Sequence, residues 1–358
     1  MSRILRVGVV GCGEVAQIIH LPALRDLPEL FAVTALCDVS QTVLDGVGAL
    51  WPSATRFNRY EDLISSSDVD VVLIANPHVY HCEVALAAME RGKHIMVEKP
   101  MCINLHQADA LLEAEARTGA FVQIGFMRRY APAFTEAVER ISTMRDKITL
   151  ARVHDVIGMN ALIITPTSRV IRGSDVGQQR VDHAKASMAK AVEEAIGVAS
   201  GAKAKAYEIL LGLGSHDISA MRELLGYPKR ILNATQRLGG LALTATIDYG
   251  HFVCQYETAI DHIARFDAHL EVYTDTEVVR VEYDTPYVRN LPAKLSVTRA
   301  KDSFGVDHSL SVATRTDAFV LEWRAFHDNV VAGKTPKTSV ADAREDLVPF
   351  GDMLALMD

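Results

Sequence analysis

The chain has 358 residues, 49% of them hydrophobic, and 37 Lys and Arg set against 45 Asp and Glu give a net charge of −8. That length suits two domains better than one core, and the acidic balance argues against nucleic acid or an anionic membrane as partner. The five cysteines (Cys12, Cys37, Cys82, Cys102 and Cys254) include no C-x-x-C pair, so neither a disulfide framework nor a structural zinc site is indicated and a reducing cytoplasm is expected.

The first apolar run, Ile4–Val10, is short and glycine-broken, which speaks against a signal peptide, and no later run approaches membrane-spanning length. It reads as a strand that enters Gly11-x-Gly13-x-x-Ala16, followed by a helical pattern. Gly11 permits the tight turn, Gly13 lets backbone approach a pyrophosphate, and Ala16 keeps the helix close to the strand. The helix start adds unpaired N–H groups and a positive dipole end. A second strand, Ala32–Cys37, ends on Asp38, where an adenosine ribose would need a carboxylate. These features predict dinucleotide binding. Asp38 favours NAD over NADP, since its charge would repel a 2′-phosphate and no Arg or Lys occurs from Val39 to Leu50.

Short apolar strands follow at Val71–Ala75, His94–Glu98 and Phe121–Gly125, separated by helical patterns at Val79–Arg91 and Leu105–Thr118. The alternation predicts a doubly wound parallel sheet over residues 1–127. Past Arg128 the pattern changes. A helix (Ala131–Thr143) and a strand (Ile148–Ile157) precede hairpin-spaced runs at Ile231–Leu238, Leu241–Tyr249 and His251–Ile260, with further runs near Leu270–Tyr273 and Val278–Tyr283. Two helices, Asp317–Ala332 and Val340–Met357, close the chain. Residues 128–358 therefore read as an α+β domain with a large open, mainly antiparallel sheet. Between Met159 and Lys205 an extra segment carries Val181, Ala184, Met188, Ala191, Val192 and Ala195 at helical spacing. It is expected either as a partial lid, with Arg169, Arg172 and Asp175 nearest the ligand, or as a helix at a subunit interface.

Two motifs fall at carboxyl ends of expected strands, where open α/β sheets bind ligands. Asn76-Pro77-His78-Val79-Tyr80-His81 follows one, and Glu98-Lys99-Pro100 ends the next. Lys99 there either reaches a nicotinamide ring or is a surface lysine paired with Glu98. His78 and His81 lack a suitably spaced acid or Cys, so no metal site is expected. His154-Asp155 either faces a substrate or forms a satisfied pair at a sheet edge.

In sequence order, Gly11-x-Gly13-x-x-Ala16, Asp38, Pro77-x-x-x-His81, Glu98-Lys99-Pro100, Gly125-Phe126-Met127-Arg128-Arg129 and Gly214-Ser215-His216-Asp217 resemble the glucose-fructose oxidoreductase and inositol dehydrogenase family. The resemblance covers nearly the whole chain. It implies a nicotinamide cofactor, a sugar, polyol or cyclitol substrate, and a homodimer or homotetramer formed through the C-terminal sheet. It implies cofactor contacts from Gly11, Gly13, Glu14, Val15, Ala16, Asp38, Asn76, Pro77, His81, Glu98, Lys99 and Arg128. Lys99 and His216 become the catalytic pair, and Arg129, His154, Asp175 and Asp217 the expected substrate contacts. One departure stands out. The family often has an Asp four residues before the histidine, where this chain has Gly212, and Asp217, Asp175 or His183 could substitute. The reaction expected is hydride transfer at a hydroxyl/carbonyl pair. An NAD-retaining glycosidase or lyase and a non-enzymatic sugar sensor share the scaffold as alternatives.

Overall fold

The computed structural model describes residues 3–302 and 304–358. In chain order its strands are β1 (Leu5–Val10), β2 (Phe31–Cys37), β3 (Thr55–Phe57), β4 (Val71–Ile74), β5 (His94–Val97), β6 (Val122–Ile124) and β7 (Ile148–Gly158). They continue as β8 (Arg230–Arg237), β9 (Ala242–Asp248), β10 (Val253–Asp261), β11 (Phe266–Thr274), β12 (Glu277–Tyr283), β13 (Lys294–Ala300) and β14 (Val306–Ser311). The helices are α1 (Leu21–Arg25), α2 (Gln41–Leu50), α3 (Tyr60–Ser65), α4 (His81–Glu90), α5 (Leu105–Thr118) and α6 (Pro132–Ser142). After them come α7 (Ala161–Thr167), α8 (Gln178–Ile196), α9 (Gly201–Ile209), α10 (Ser215–Leu225), α11 (Ala318–Ala332) and α12 (Val340–Ala355).

The chain divides into two compact units that are not contiguous in sequence. The first comprises Met1–Phe126, Ser168–Ala199 and Phe319–Leu347, and the second Met127–Thr167, Ser200–Ala318 and Val348–Asp358. Residues 168–199 and 319–347, assigned above to the second domain, therefore lie in the first unit. Their side chains decide this. Ile171, His183 and Asn104–Ala191 contacts tie the first segment to the nucleotide-type half. Trp323 and Phe326 of α11 pack against Phe31, in a cluster that reaches Phe121.

In the first unit six parallel strands run in the order β3-β2-β1-β4-β5-β6. The order reverses between β1 and β4, which makes the carboxyl ends of those strands the natural ligand crevice. Val7, Val9, Val71, Leu73, Ile95 and Val97 are fully buried, as parallel strands covered on both faces require.

The second unit is built on an eight-stranded sheet, β14-β13-β12-β11-β7-β10-β9-β8. Every pairing is antiparallel except β7 with β10. β7 sits between β10 and β11, so those consecutive strands are not neighbours. Burial alternates along β10 and β12, and α6 and α10 cover one face. The antiparallel series extends to β13 and β14, two strands that the sequence reading omitted. Their polar, Ser/Thr/Lys-rich faces blur the apolar alternation that marks a strand.

Candidate active site

The first unit assembles its site from four strand ends. β1 runs into Gly11, whose φ of +89° is a left-handed conformation; a Cβ there would lie 2.5 Å from the Asn76 backbone nitrogen. A Cβ at Gly13 would meet nothing within 4 Å, which leaves open space above the turn where a diphosphate would lie. Helix begins at Glu14, and the N–H groups of its first turn lack intrahelical carbonyls. The helix opens with a π-turn, Ala16–His20, that carries His20 into the core.

Asp38 follows β2. Its Oδ2 accepts the Cys12 N–H at 2.9 Å and its Oδ1 accepts the Ser40 N–H at 2.9 Å. Each carboxylate oxygen has a second lone pair, so Asp38 braces the glycine turn and keeps acceptor capacity for ribose hydroxyls. At the end of β4, Asn76 Oδ1 is buried without a hydrogen-bond partner among the described residues. A buried polar atom left unpaired is costly in a finished protein. Open space at Gly13, the spare capacity of Asp38 and the orphaned Asn76 oxygen fit a dinucleotide.

The Glu98-Lys99-Pro100 turn ends β5, and the Lys99–Pro100 peptide is cis. Glu98 is anchored from behind. Trp323 Nε1 donates to His20 Nδ1 at 3.1 Å, which leaves His20 Nε2 to donate to Glu98 Oε1 at 2.7 Å. Glu98 Oε2 in turn accepts the Lys99 N–H at 3.1 Å. Burial pushes the Glu98 carboxyl up, but His20, Lys99 and His81 together hold it below the usual carboxylate range. Lys99 itself is partly exposed. His81, at the start of α4, lies 2.8 Å from the carbonyls of both Pro100 and Asn76 and so ties two strand ends together. Burial pushes its pKa down, against the opposing pull of the two carbonyls. His78 is driven down to about 3 by burial, with His81 and Lys99 adding to the effect. Neither histidine belongs to a metal-binding group among the described residues.

Residues 168–199 lie across the glycine turn and the end of β2. Ile171 N donates to Gln17 Oε1 at 2.8 Å while Gln17 Nε2 donates to the Ile171 and Cys12 carbonyls at 2.9 and 2.8 Å. Arg172 pairs with Glu14. Asp175 accepts from Ser40 Oγ at 2.5 Å and from the Thr42 N–H at 3.1 Å. Farther along, His183 stacks on Tyr80 and hydrogen-bonds its hydroxyl at 3.2 Å. Asp175, expected among the substrate contacts, is thus held beside Asp38 in the nucleotide-type unit.

The second unit carries the other expected residues. A π-turn, Leu210–Gly214, leads into α10, which opens with Ser215, His216 and Asp217, all buried. Gly214 is required there, because a Cβ would lie 2.5 Å from Tyr256 Oη, whereas a Cβ at Gly212 meets nothing within 4 Å. Arg128, read from sequence as a cofactor contact, is buried in this unit with Nη1 2.6 Å from Asp217 and Nη2 2.9 Å from Asp155. Its guanidinium also lies 5.1 Å from the Tyr283 ring centroid and 5.7 Å from that of Phe266. Arg129 is committed as well, to Glu223 at 2.5 Å and Ser219 at 2.8 Å. These pairings join Arg128, Asp155 and Asp217 in one buried ionic cluster of the second unit, with Arg129 paired beside it. Burial and the Asp155 carboxyl push the Asp217 pKa well above the usual range, against the pull of Arg128.

His154 and Asp155 are neither a pair nor at a sheet edge. β7 is central, and side chains alternate between faces. Asp155 points to the buried side, while His154 meets Glu257 at 3.0 Å and stacks on His269 with centroids 4.9 Å apart. Sequence reasoning missed His20, Trp323, Gln17 and Ser40. Only Ser40 had a local signal, as the N-cap whose hydroxyl accepts the Val43 N–H at 3.1 Å.

Comparison with known proteins agrees with this geometry. Residues 5–126 match the model of an oxidoreductase family with an NAD-binding Rossmann fold. Inositol 2-dehydrogenase of Salmonella typhimurium is 35% identical over 137 residues, 37% of this chain and 40% of the relative. An inositol 2-dehydrogenase/D-chiro-inositol 3-dehydrogenase of Lactiplantibacillus plantarum is 32% identical over 145 residues, 39% of this chain and 40% of its own length. The chain thus spans about 40% of the length of these curated relatives. Among solved structures, the 3-ketoreductase KijD10 of Actinomadura kijaniata in complex with NADP has a TM-score of 0.75 at 19% identity, covering 99% of this chain and 98% of its own. An oxidoreductase of Thermotoga maritima has a TM-score of 0.73 at 20% identity, covering 99% and 97%. At such identities the likeness is one of fold, and it extends over nearly all of the chain. Residues 5–126 are therefore similar to the NAD-binding Rossmann domain of that oxidoreductase family.

Proposed function

We propose that the protein is an NAD-dependent oxidoreductase acting on a hydroxyl/carbonyl pair of a sugar, polyol or cyclitol. One observation carries the reading: the glycine turn, Asp38 and Lys99 stand together at the carboxyl ends of β1, β2 and β5 in one parallel sheet. The inositol dehydrogenase relatives support a cyclitol-like substrate. When bound, the nicotinamide would supply the hydride acceptor or donor. The first-turn N–H groups at Glu14, Val15 and Ala16 would hold the diphosphate, Asp38 the adenosine ribose, and Asn76 Oδ1 would gain the partner it lacks.

Lys99 exchanges the proton at the substrate oxygen. Oxidation needs it neutral to accept that proton, and reduction needs it charged to polarise a carbonyl and donate. Its backbone is held by Glu98, itself fixed through His20 and Trp323, so the ammonium starts from a braced turn. His216 of the second unit is the second proposed acid–base group. Asp38 favours NAD over NADP because a 2′-phosphate would face its carboxylate. A second copy of the chain is proposed to pair through the open face of the eight-stranded sheet, checked by sedimentation. The cysteines are free and buried, which suits the proposed cytoplasmic setting.

The test is reduced-nicotinamide absorbance over a panel of sugars and cyclitols with the wild type and Lys99→Met. Expected are continuous NADH production by the wild type and a 10²–10⁴-fold loss in the variant, a range typical of acid–base groups, with NAD+ affinity retained. Turnover without accumulating NADH would replace this reading with a cofactor-retaining hydrolase or lyase. Ligand binding without turnover would replace it with a sensor.

A further inference from the structure

Asp38 is not the only carboxylate at the ribose end of the proposed site. Asp175 arrives from residues 168–199, more than a hundred positions away in sequence, and takes the two donors next to it. Ser40 Oγ donates to Asp175 Oδ1 at 2.5 Å and the Thr42 N–H to Oδ2 at 3.1 Å, while the neighbouring Ser40 N–H donates to Asp38. A hydroxyl and a free backbone N–H just past β2 are the donors that a phosphate on the ribose 2′-oxygen would seek. In this chain a built-in anion already holds them.

The placement is specified rather than incidental. Ile171, four residues earlier, is pinned to Gln17 by reciprocal hydrogen bonds, and Arg172 pairs with Glu14. Gly173 sits so close to Ser40 that a Cβ would lie 2.1 Å from its Oγ, and Ile171 fills the space over Gly46. The strand of chain from Ile171 to Asp175 therefore spans from the glycine turn to the end of β2. The Ser40 and Thr42 hydrogen bonds hold the Asp175 carboxyl below its usual pKa, so it is charged at neutral pH.

We propose that Asp175 is a cofactor-discriminating residue: docked on Ser40 and Thr42, it excludes a 2′-phosphate by occupying its hydrogen-bond donors and by adding a second negative charge beside Asp38. This rests on the dinucleotide reading above and deepens it. A unit charge about 4 Å from a phosphate in water changes affinity roughly five- to tenfold, and release of the two donors adds to that.

The experiment is calorimetric titration of the full chain with ADP and with 2′-phosphoadenosine 5′-diphosphate, which differ only in the 2′-phosphate, so binding is read without turnover. Asp175→Asn keeps the shape and removes the charge; Asp175→Ser removes both the charge and the reach. Asp38→Ala is the reference, and thermal melts confirm that each variant is folded. The wild type is expected to prefer ADP. Asp175→Asn should tighten the 2′-phosphorylated probe about tenfold and leave ADP within twofold, and Asp175→Ser should do at least as much. If the wild type prefers ADP and Asp38→Ala alone narrows the ratio, Asp175 has no part in selection. Equal shifts for both probes in the Asp175 variants would make it a structural tether instead. A wild type that binds both probes equally would overturn the Asp38 reading and this one together.

Discussion

Asp217→Asn probes the buried charges of the second unit. One guanidinium, Arg128, faces two carboxyl groups, and the exposures of Arg128, Asp155 and Asp217 are 3%, 0% and 1%. Arg128 can neutralise only one of them. A second ionised carboxylate held there without water would cost several kcal/mol, so the folded protein carries a proton on Asp217. Burial and Asp155 raise its pKa well above the usual range. Unfolded, the same group ionises near pH 3.9. Between those two values the folded state binds one more proton than the unfolded state. Stability due to this group is therefore complete below pH 4 and falls as pH rises, by about 1.4 kcal/mol per unit. Asparagine offers Arg128 a carbonyl oxygen and Asp155 an N–H donor, and it has no proton to lose. Urea unfolding of wild type and variant at pH 5, 6 and 7 measures the difference directly. The variant should gain on the wild type as pH rises, by at most about 1.4 kcal/mol per unit. Parallel stability profiles would refute the shared-proton arrangement and leave both carboxylates ionised against Arg128.

Three further outcomes follow from the geometry. Gly11→Ala places a Cβ 2.5 Å from the Asn76 nitrogen at a φ of +89°; it should cost roughly 1–3 kcal/mol of stability and abolish NAD+ binding, read by urea unfolding and titration. Gly214→Ala drives a methyl to 2.5 Å from the buried Tyr256 hydroxyl, with a similar expected loss of about 1–3 kcal/mol in the same unfolding assay. Gly212→Ala, two residues earlier, meets nothing within 4 Å and should be neutral or stabilising by up to about 1 kcal/mol, since alanine loses less backbone entropy in a helix.

The sequence by itself determined the parts whose cause is local. The Val7–Ala16 turn is legible because only glycine tolerates the conformation at Gly11 and the open approach at Gly13. Apolar runs such as Val71–Ile74 and His94–Val97 announce strands buried on both faces, and Lys99 falls at a strand end by simple counting along the chain. Hairpin spacing of β-branched runs marked an antiparallel sheet. Tertiary structure decided the rest. Arg128, Asp155 and Asp217 are far apart in sequence, and their commitment to one another follows from α10 lying over β7, which no periodicity encodes. His154 and Asp155 are adjacent yet face opposite sides of a central strand, because the position of β7 in the sheet is a matter of pairing order. Residues 168–199 join the first unit through single contacts, Ile171 on Gln17 and Asp175 on Ser40, between segments whose spacing in sequence carries no signal. Local backbone constraints are written residue by residue, whereas the partner of a charged side chain is chosen only when the folded chain brings it within reach.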